Sequence, residues 1–149
     1  MPATISQING AGRILRAWWQ DPNALILGAE EVWAYGILTE FRASHAVPLI
    51  KANNGLRSMV RTEGCAVQVS QRLKRAASII DKLARHSTMA LARMQDIGGC
   101  RAILADIDEV RRVEKRLRGL RPPLRVDDYI SHTPHARVGR GGRKDRRTD

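Results

Sequence analysis

Basic side chains between residues 72 and 85 recur at spacings that would bring them to one surface. Arg72, Lys74, Lys82 and Arg85 are four of the five basic residues in this range, and Ser78 lies among them. Several cations that converge from one side neutralise a triphosphate, and a planar guanidinium binds phosphate oxygens in pairs, which an ammonium does not. The pattern indicates a phosphate site, although a basic helix face taken alone is more often a solvated surface.

A second group of residues suited to phosphate chemistry surrounds Asp96. This carboxylate precedes Gly98-Gly99 and Arg101, and paired glycines allow a ligand to approach the backbone closely. Magnesium prefers one or two carboxylates together with substrate phosphates and water, so Asp96 is a candidate magnesium ligand. The alternative is an aspartate that caps its own turn.

The downstream segment Asp127-Asp128-Tyr129-Ile130 holds two adjacent carboxylates. Neighbouring residues of a strand point to opposite faces, so these carboxylates do not form an acid and base pair by spacing alone. The segment is predicted as an edge strand. His132 is a candidate phosphate contact, with simple exposure as the alternative.

Several well-known catalytic patterns do not occur in the sequence. The glycine-rich stretches at residues 98–99 and 139–142 lack Walker spacing, and there is no Gly-x-Ser-x-Gly. Cys65 and Cys100 have no CxxC partner. Free thiols in a reducing compartment are therefore expected, and neither a zinc site nor a disulfide is indicated.

The overall composition predicts one basic globular domain. The chain has 149 residues, of which 43% are hydrophobic and 28% charged, and its formal net charge is +11. A positive field of that kind attracts polyanions such as nucleotides, RNA or acidic surfaces. No run of about 18 apolar residues and no secretory leader occurs, so we expect a cytoplasmic protein without a membrane partner.

Hydrophobic periodicity predicts two helices behind a loosely ordered lead-in over residues 1–23, which mixes Gly, Pro and Asn. The first helix is expected over residues 24–44, with its inward face formed by Leu27, Val32, Tyr35, Leu38 and Phe41. The second is expected over residues 48–61, with Gly64 as a C-terminal glycine. Its inward residues are Leu49, Leu56, Met59 and Val60.

Strands and helices alternate in the next part of the chain. Strands are predicted over residues 65–70 and 100–105, and a helix over residues 71–86 lies between them. The apolar face of that helix would hold Leu73, Ala76, Ala77, Ile80, Leu83 and Ala84. The opposite face would hold the cluster of Lys74, Ser78, Lys82 and Arg85.

The C-terminal part contains one more helix and one more strand. Asp106, with Glu109 three residues on, forms a capping pattern that opens the helix. Its core-facing residues would be Ile107, Val110, Val113 and Leu117. A third strand is predicted over residues 124–130, and the basic, glycine-containing residues 133–149 are expected to be disordered. The alternation predicts an α/β (α+β) domain behind a helical N-terminal lead.

Three segments, taken together and in order, resemble the RelA/SpoT synthetase family. They are residues 72–85 (RLKRAASIIDKLAR), residues 94–101 (MQDIGGCR) and residues 128–130 (DYI). Upstream, residues 41–45 (FRASH) with Pro48-Leu49 resemble the helical lead-in of small single-domain members. The similarity covers about residues 35–134, and three ordered motifs are more specific than any one of them.

The resemblance implies a nucleotidyltransferase-like mixed sheet flanked by helices, present in part over residues 24–132 and incomplete at its C-terminal end. Family members transfer the β,γ-pyrophosphate of ATP to the ribose 3′-hydroxyl of GDP or GTP and so make (p)ppGpp; some toxin-like members modify the 3′ end of tRNA. The resemblance assigns ATP contacts to Arg72, Lys74, Ser78, Lys82, Arg85 and Arg101, and catalysis with Mg²⁺ binding to Asp96.

The sequence also departs from the family pattern. The family continues after Asp-Tyr-Ile with Gly-Tyr-Arg-x-x-His and later Glu-x-Gln-x-Arg-Thr, and neither occurs here. No tyrosine follows Tyr129, and Asp127 stands where a basic residue is common. We therefore expect a truncated or frameshifted synthetase domain that keeps the ATP-side motifs and is catalytically impaired.

Three alternatives to this reading stay open. The first is a non-catalytic basic module that binds RNA or another polyanion through residues 72–85 and the tail, with salt-sensitive affinity. The second is a tRNA-modifying, toxin-like relative. The third is an enzyme completed as a homo-oligomer, and an antitoxin-like partner is likewise left open.

Overall fold

The computed structural model describes residues 2–24, 26–120, 122–123 and 125–130. They form an α+β fold of five α-helices, a short 3₁₀ turn at Leu91–Arg93 and a two-stranded antiparallel sheet. The helices are α1 (Ile5–Gln20), α2 (Ala29–Ser44), α3 (Ala46–Thr62), α4 (Ala76–Arg85) and α5 (Ile107–Leu120), and the strands are β1 (Gln68–Leu73) and β2 (Gly98–Ile103). The predicted tail at residues 133–149 lies outside the described residues.

Helix α1 occupies most of the segment that was expected to be a loosely ordered lead-in, so that expectation is wrong. Thr4 and Gln7 form a capping box: the Gln7 N–H donates to Thr4 Oγ1 at 3.2 Å, and the Thr4 N–H donates to Gln7 Oε1 at 2.8 Å. These bonds satisfy N–H groups that a helix start leaves without partners. Ile8 and Leu15 are buried along one face, which packs on α2 and α4.

Helices α2 and α3 form where predicted, with shifted ends. In α2 the buried residues are Ala34 and Leu38, whereas Val32 and Tyr35 are exposed, so the predicted inward face was partly wrong. The helix turns a narrower apolar stripe toward α1 than the sequence pattern indicated. Helix α3 is followed by Gly64 at φ +73°, which confirms the predicted C-terminal glycine because this left-handed conformation favours glycine.

The inward face of α3 was predicted in part. Leu49 and Val60 are buried as expected, and Leu56 packs partly against the core, but the polar Asn53 is buried as well. Helix α3 covers one face of the sheet. A Cβ atom added at Gly98 of β2 would lie 3.4 Å from the Cδ1 atom of Leu49 on α3. The glycine therefore allows β2 to pack closely on α3.

Strands β1 and β2 form near the predicted segments but with different bounds. The chain leaves α3 at Gly64, and the Cys65 N–H bonds back to the Val60 carbonyl at 3.1 Å, so residues 65–67 are a connection and not strand. β1 then extends through Leu73, which pairs with Gly98. The helix predicted over residues 71–86 is consequently wrong at its start, because the first residues of that range belong to the sheet.

Helix α4 buries Ile79, Ile80 and Leu83 against α1. Ile79 was not among the predicted inward residues, and Ala77, which was, is exposed. The difference follows from the late start of the helix, because Leu73 and Lys74 lie before it and do not help to set its face.

Helix α5 begins at the predicted capping pattern. The Glu109 N–H donates to Asp106 Oδ1 at 2.8 Å, and Glu109 Oε2 accepts from the Ala105 N–H at 3.0 Å. Of the four predicted core-facing residues only Val113 is buried, whereas Ile107 and Leu117 are exposed.

The strand predicted over residues 124–130 is not formed by the described residues 125–130. Their carboxylates bond locally instead: Asp128 Oδ1 accepts from the Ile130 N–H at 2.9 Å, and Asp127 Oδ1 accepts from Arg125 Nε at 2.9 Å. The sheet accordingly has two antiparallel strands in the part of the chain that the structure describes, and the mixed sheet stays a prediction. None of the described helices is long and apolar enough to cross a bilayer.

Candidate phosphate-binding site

Lys74, Lys82 and Asp96 meet at the end of the sheet where β1 finishes and β2 begins. Lys74 Nζ lies 2.9 Å from Asp96 Oδ2, and Lys82 Nζ lies 2.7 Å from Asp96 Oδ1. The sequence reading placed Lys74 and Lys82 on one helix face. In the structure Lys74 follows the last residue of β1, and only Lys82 is on a helix, α4.

The backbone holds the three side chains in this arrangement. The Lys74 N–H donates to the Ile97 carbonyl at 2.7 Å, which joins the end of β1 to the turn that carries Asp96. Lys82 comes from the second turn of α4, and the neighbouring Leu83 is fully buried. The backbone bond between Lys74 and Ile97 therefore holds one ammonium group near Asp96, and the packing of α4 holds the other.

The charge state of Asp96 follows from its two partners. Partial burial, the largest single influence, acts to raise the pKa of Asp96, but hydrogen bonds from Lys82 and Lys74 and their positive charges outweigh it. The net result lowers this pKa from 3.8 to about 2. Asp96 is thus an anion at neutral pH, and two cations surrounding one anion leave the cluster with net positive charge.

Arg72 and Arg101 share the uncovered face of the sheet. Arg72 pairs with Gly99, and Arg101 pairs with Ser70, so all four residues point to the same side of the antiparallel ladder. All four are exposed. A cleft of about 360 Å³ is lined by these four residues together with Gln71 and Cys100.

Four of the six predicted ATP ligands, namely Arg72, Ser78, Arg85 and Arg101, make no hydrogen bond or ion pair with Lys74, Lys82 or Asp96 among the described residues. Arg85 is bonded to Asp81 on its own helix, with its Nη2 and Nε atoms 2.7 and 3.0 Å from Asp81 Oδ2. Ser78 is exposed in the first turn of α4, four residues before Lys82, which places both on the same side of the helix. Ser78 thus shares the side of Lys82, whereas Arg85 has a carboxylate partner of its own.

The start of α4 is a further group of hydrogen-bond donors at this end of the sheet. Its N-cap residue, Arg75, makes no side-chain capping bond. Helix starts leave backbone N–H groups without intrahelical partners, and these groups together with the helix dipole attract anions. Such a helix start was not predicted here, because the sequence pattern placed residues 71–75 inside a helix.

The residues around Asp96 do not fit a magnesium ion in the arrangement found. Each carboxylate oxygen already accepts a hydrogen bond from an ammonium group, and a divalent cation would be repelled by both lysines. The described residues also contain no group of three or more His, Cys, Asp or Glu side chains that could hold a metal ion. No catalytic step is therefore assigned to a metal at Asp96.

The downstream segment at residues 127–130 is joined to α5. Asp128 Oδ2 lies 2.8 Å from Arg111 Nη2 of α5, and the Tyr129 side chain is largely exposed. His132 lies outside the described residues, so its predicted phosphate contact stays a prediction.

Sequence reasoning missed the arginines that donate to backbone carbonyls near the site. Arg42 Nε of α2 donates to the Lys74 carbonyl at 2.8 Å, and Arg57 Nη2 of α3 donates to the Val69 carbonyl at 2.7 Å. On α1, Arg16 Nε donates to the Leu83 carbonyl at 2.8 Å. No sequence motif predicts such bonds, because the acceptors are main-chain carbonyls of residues that are distant along the chain.

Comparison of this chain with models of known protein families and with curated proteins finds no match.

Proposed function

We propose that this chain binds the triphosphate of ATP, as the donor-side part of a domain related to the RelA/SpoT synthetases, and that it is impaired in pyrophosphate transfer. The observation that carries the proposal is the meeting of Lys74 and Lys82 at Asp96, beside a sheet face that presents Arg72 and Arg101. These residues lie in the two segments that resemble the family most closely.

Charge and geometry support a polyphosphate ligand. Two ammonium groups and one carboxylate leave one positive charge at the end of the sheet, and the exposed guanidinium groups of Arg72 and Arg101 add to it. The start of α4 supplies backbone donors beside them. Positioning and charge neutralisation are the main requirements for handling a triphosphate, and these residues supply both.

The order of elements supports a nucleotidyltransferase-like architecture. One strand, one helix and a second strand follow the helical N-terminal part, and the family motifs fall at the end of β1, on α4 and at the start of β2. The acceptor-side Gly-Tyr and Glu-x-Gln motifs do not occur in the 149 residues. For that reason the proposal places ATP binding in this chain and expects little transfer to GDP, GTP or tRNA.

Titration calorimetry with ATP tests the binding step. Lys82→Gln should weaken binding by about ten- to 150-fold, because hydrogen bonds to charged groups contribute about 1.5–3 kcal/mol. Lys51→Gln is the matched control, because it removes the same charge from an exposed position on α3. Equal losses in both variants, or no ATP binding by the unaltered protein, would contradict the proposal.

Binding of ATP without magnesium tests the arrangement at Asp96. The Asp96 carboxylate accepts hydrogen bonds from the ammonium groups of both lysines and so competes with phosphate for them. Asp96→Asn should therefore bind metal-free ATP more tightly, by up to about fivefold, since exposed ion pairs are worth up to about 1 kcal/mol. Weaker binding in this variant would show that phosphate does not use the two lysines.

A transfer assay with γ-labelled ATP, magnesium and GDP, GTP or tRNA tests the impairment. We expect no labelled acceptor. Labelled product that disappears in Asp96→Ala would establish an active enzyme. A specific activity that rises with protein concentration would further identify an oligomer as the active form.

A second candidate function is binding of RNA through its phosphates. It is favoured by the openness of the face that carries Arg72 and Arg101, which an extended backbone can follow. Binding of that kind weakens steeply with salt and shows little sequence preference. Salt-sensitive RNA binding in a protein that does not bind ATP would favour this function over the first.

A further inference from the structure

We infer that Arg42 of α2 is a positioning residue that aims Lys74 at the phosphate-binding site. The inference rests on the proposed function, because it assigns Arg42 to the same site. The Arg42 Nε atom donates to the Lys74 carbonyl oxygen at 2.8 Å in a partly buried contact. Arg42 does not contact Asp96 or Lys82 through any hydrogen bond found among the described residues, so its effect on them passes through Lys74.

Lys74 needs such support because it lies just outside regular structure. The β1–β2 ladder ends with the pair Leu73 and Gly98, and α4 begins at Ala76. Two bonds hold the peptide groups of Lys74 between these elements: its N–H donates to Ile97, and its carbonyl accepts from Arg42. The first bond ties it to the turn of Asp96, and the second ties it to α2.

The two bonds determine where the Lys74 side chain can reach. A lysine side chain is flexible, so its ammonium group stays near one partner only when the backbone from which it extends is held in place. Here the ammonium group lies 2.9 Å from Asp96 Oδ2, while the carbonyl of the same residue accepts the bond from Arg42. Without the hydrogen bond from Arg42, the backbone of Lys74 would lose one of its two restraints, and its side chain could leave the cluster.

Arg57 provides a matched comparison, because it bonds a carbonyl five residues earlier, inside β1. It comes from α3 and donates from Nη2 to the Val69 carbonyl of β1 at 2.7 Å. Arg42→Gln and Arg57→Gln therefore remove the same charge and the same kind of bond, but only the first bond is at Lys74. A general weakening of β1 would affect both variants alike.

The experiment records the side-chain ammonium signals of Lys74 and Lys82 by ¹H–¹⁵N NMR, with assignments from Lys74→Arg and Lys82→Arg. In Arg42→Gln the Lys74 signal should move toward that of a free lysine or broaden beyond detection, while the Lys82 signal persists. Arg57→Gln should leave both signals in place. Arg42→Lys, which retains a donor for the carbonyl, should restore the Lys74 signal at least in part.

Two results would overturn the inference: an unchanged Lys74 signal in Arg42→Gln, or equal changes in Arg42→Gln and Arg57→Gln. Calorimetry with ATP separates this inference from the proposed function. If the unaltered protein binds ATP, Arg42→Gln should weaken that binding severalfold more than Arg57→Gln does. If it does not bind ATP, the proposed function fails, and the NMR comparison still decides whether Arg42 positions Lys74.

Discussion

The described residues form two hydrophobic clusters of very different size. The larger, here called the helical cluster, joins α1, α2, α4 and the 3₁₀ turn, and its fully buried side chains include Leu15, Leu38 and Leu83. The smaller, here called the sheet cluster, lies between α3, the sheet and α5 and consists of the buried residues Val60, Cys65, Val69 and Val113. The helical cluster therefore buries most of the apolar surface. Because apolar burial stabilises the fold in proportion to its area, this cluster contributes more to stability than the sheet cluster does.

The attachment of α5 illustrates the difference. Val113 is its buried residue, and Leu117 and Leu120 keep 39% and 59% of their surface exposed, so little apolar area holds this helix. Ion pairs such as Arg116 with Glu63 add contacts at the surface, where a pair contributes about 0–1 kcal/mol. The candidate site belongs mainly to the first region, because Lys82 lies on α4 and Asp96 lies between Met94 and Ile97, which are both buried in the helical cluster.

The largest expected effect compares one core truncation in each cluster. Leu15→Ala should lower the free energy of unfolding by about 2–5 kcal/mol, because it removes a fully buried side chain from the helical cluster. Val113→Ala removes fewer atoms from a cluster that can collapse around the gap, and should cost about 1.5 kcal/mol. Urea unfolding monitored by circular dichroism measures both. A larger loss in Val113→Ala would reverse the comparison.

A pair of glycine substitutions sharpens the same contrast. A Cβ at Gly12 would lie 2.8 Å from Leu91 Cβ, so Gly12→Ala should cost about 1–3 kcal/mol by overpacking the helical cluster. At Gly55 of α3 a Cβ would meet no atom within 4 Å. Gly55→Ala should stabilise by about 0.5–1 kcal/mol, because alanine favours the helix. Thermal unfolding of both variants tests this, and stabilisation by Gly12→Ala would contradict tight packing at α1.

The smallest expected effect concerns the ion pairs of Asp96 with Lys74 and Lys82. Its pKa is lower in the folded protein, at about 2, than its ordinary value of 3.8, so the ion pairs stabilise the fold fully above about pH 4. That stability is lost as the pH falls toward 2. Because 47% of the Asp96 side chain is exposed, solvent screening limits the contribution to less than about 1 kcal/mol.

Urea unfolding at pH 5 and pH 2.5 measures this effect as the difference between the unaltered protein and Asp96→Asn. The variant is needed because Glu114, whose pKa is lowered by hydrogen bonds from Arg118 and Arg111, also loses its charge in acid. A pH dependence that is the same in the two proteins would mean that the ion pairs at Asp96 do not stabilise the fold.

Local patterns in the sequence predicted most of the elements but not all of their ends. Gly64 was recognised as a C-terminal glycine because only its local conformation matters, and Asp106 with Glu109 was recognised in the same way. Helix α1 was missed, although Thr4 and Gln7 match a capping box, because the glycines that follow them indicated a loop. Gly12 is tolerated in α1 because it lets the helix approach Leu91 closely, and such an approach is a tertiary contact.

The candidate site was predictable as a set of residues and not as an arrangement. The basic spacing pointed to Lys74 and Lys82, and the position of a carboxylate just before Gly98-Gly99 pointed to Asp96. Their meeting depends on where β1 ends, and that end is determined by pairing with β2, which is distant along the chain. Arg42 was beyond prediction for the same reason, since its partner is a carbonyl that becomes available only once β1 is in place.

The exposed sheet face also bears on how the protein behaves in concentrated solution. Among the described residues each strand of the sheet has one edge without a neighbouring strand, and such edges invite pairing with other chains. Arg72 and Arg101 put like charges on this sheet, so two copies that approach face to face repel each other. The same guanidinium groups therefore favour solubility as well as phosphate binding, and a variant that neutralises both is expected to aggregate more readily than the unaltered protein.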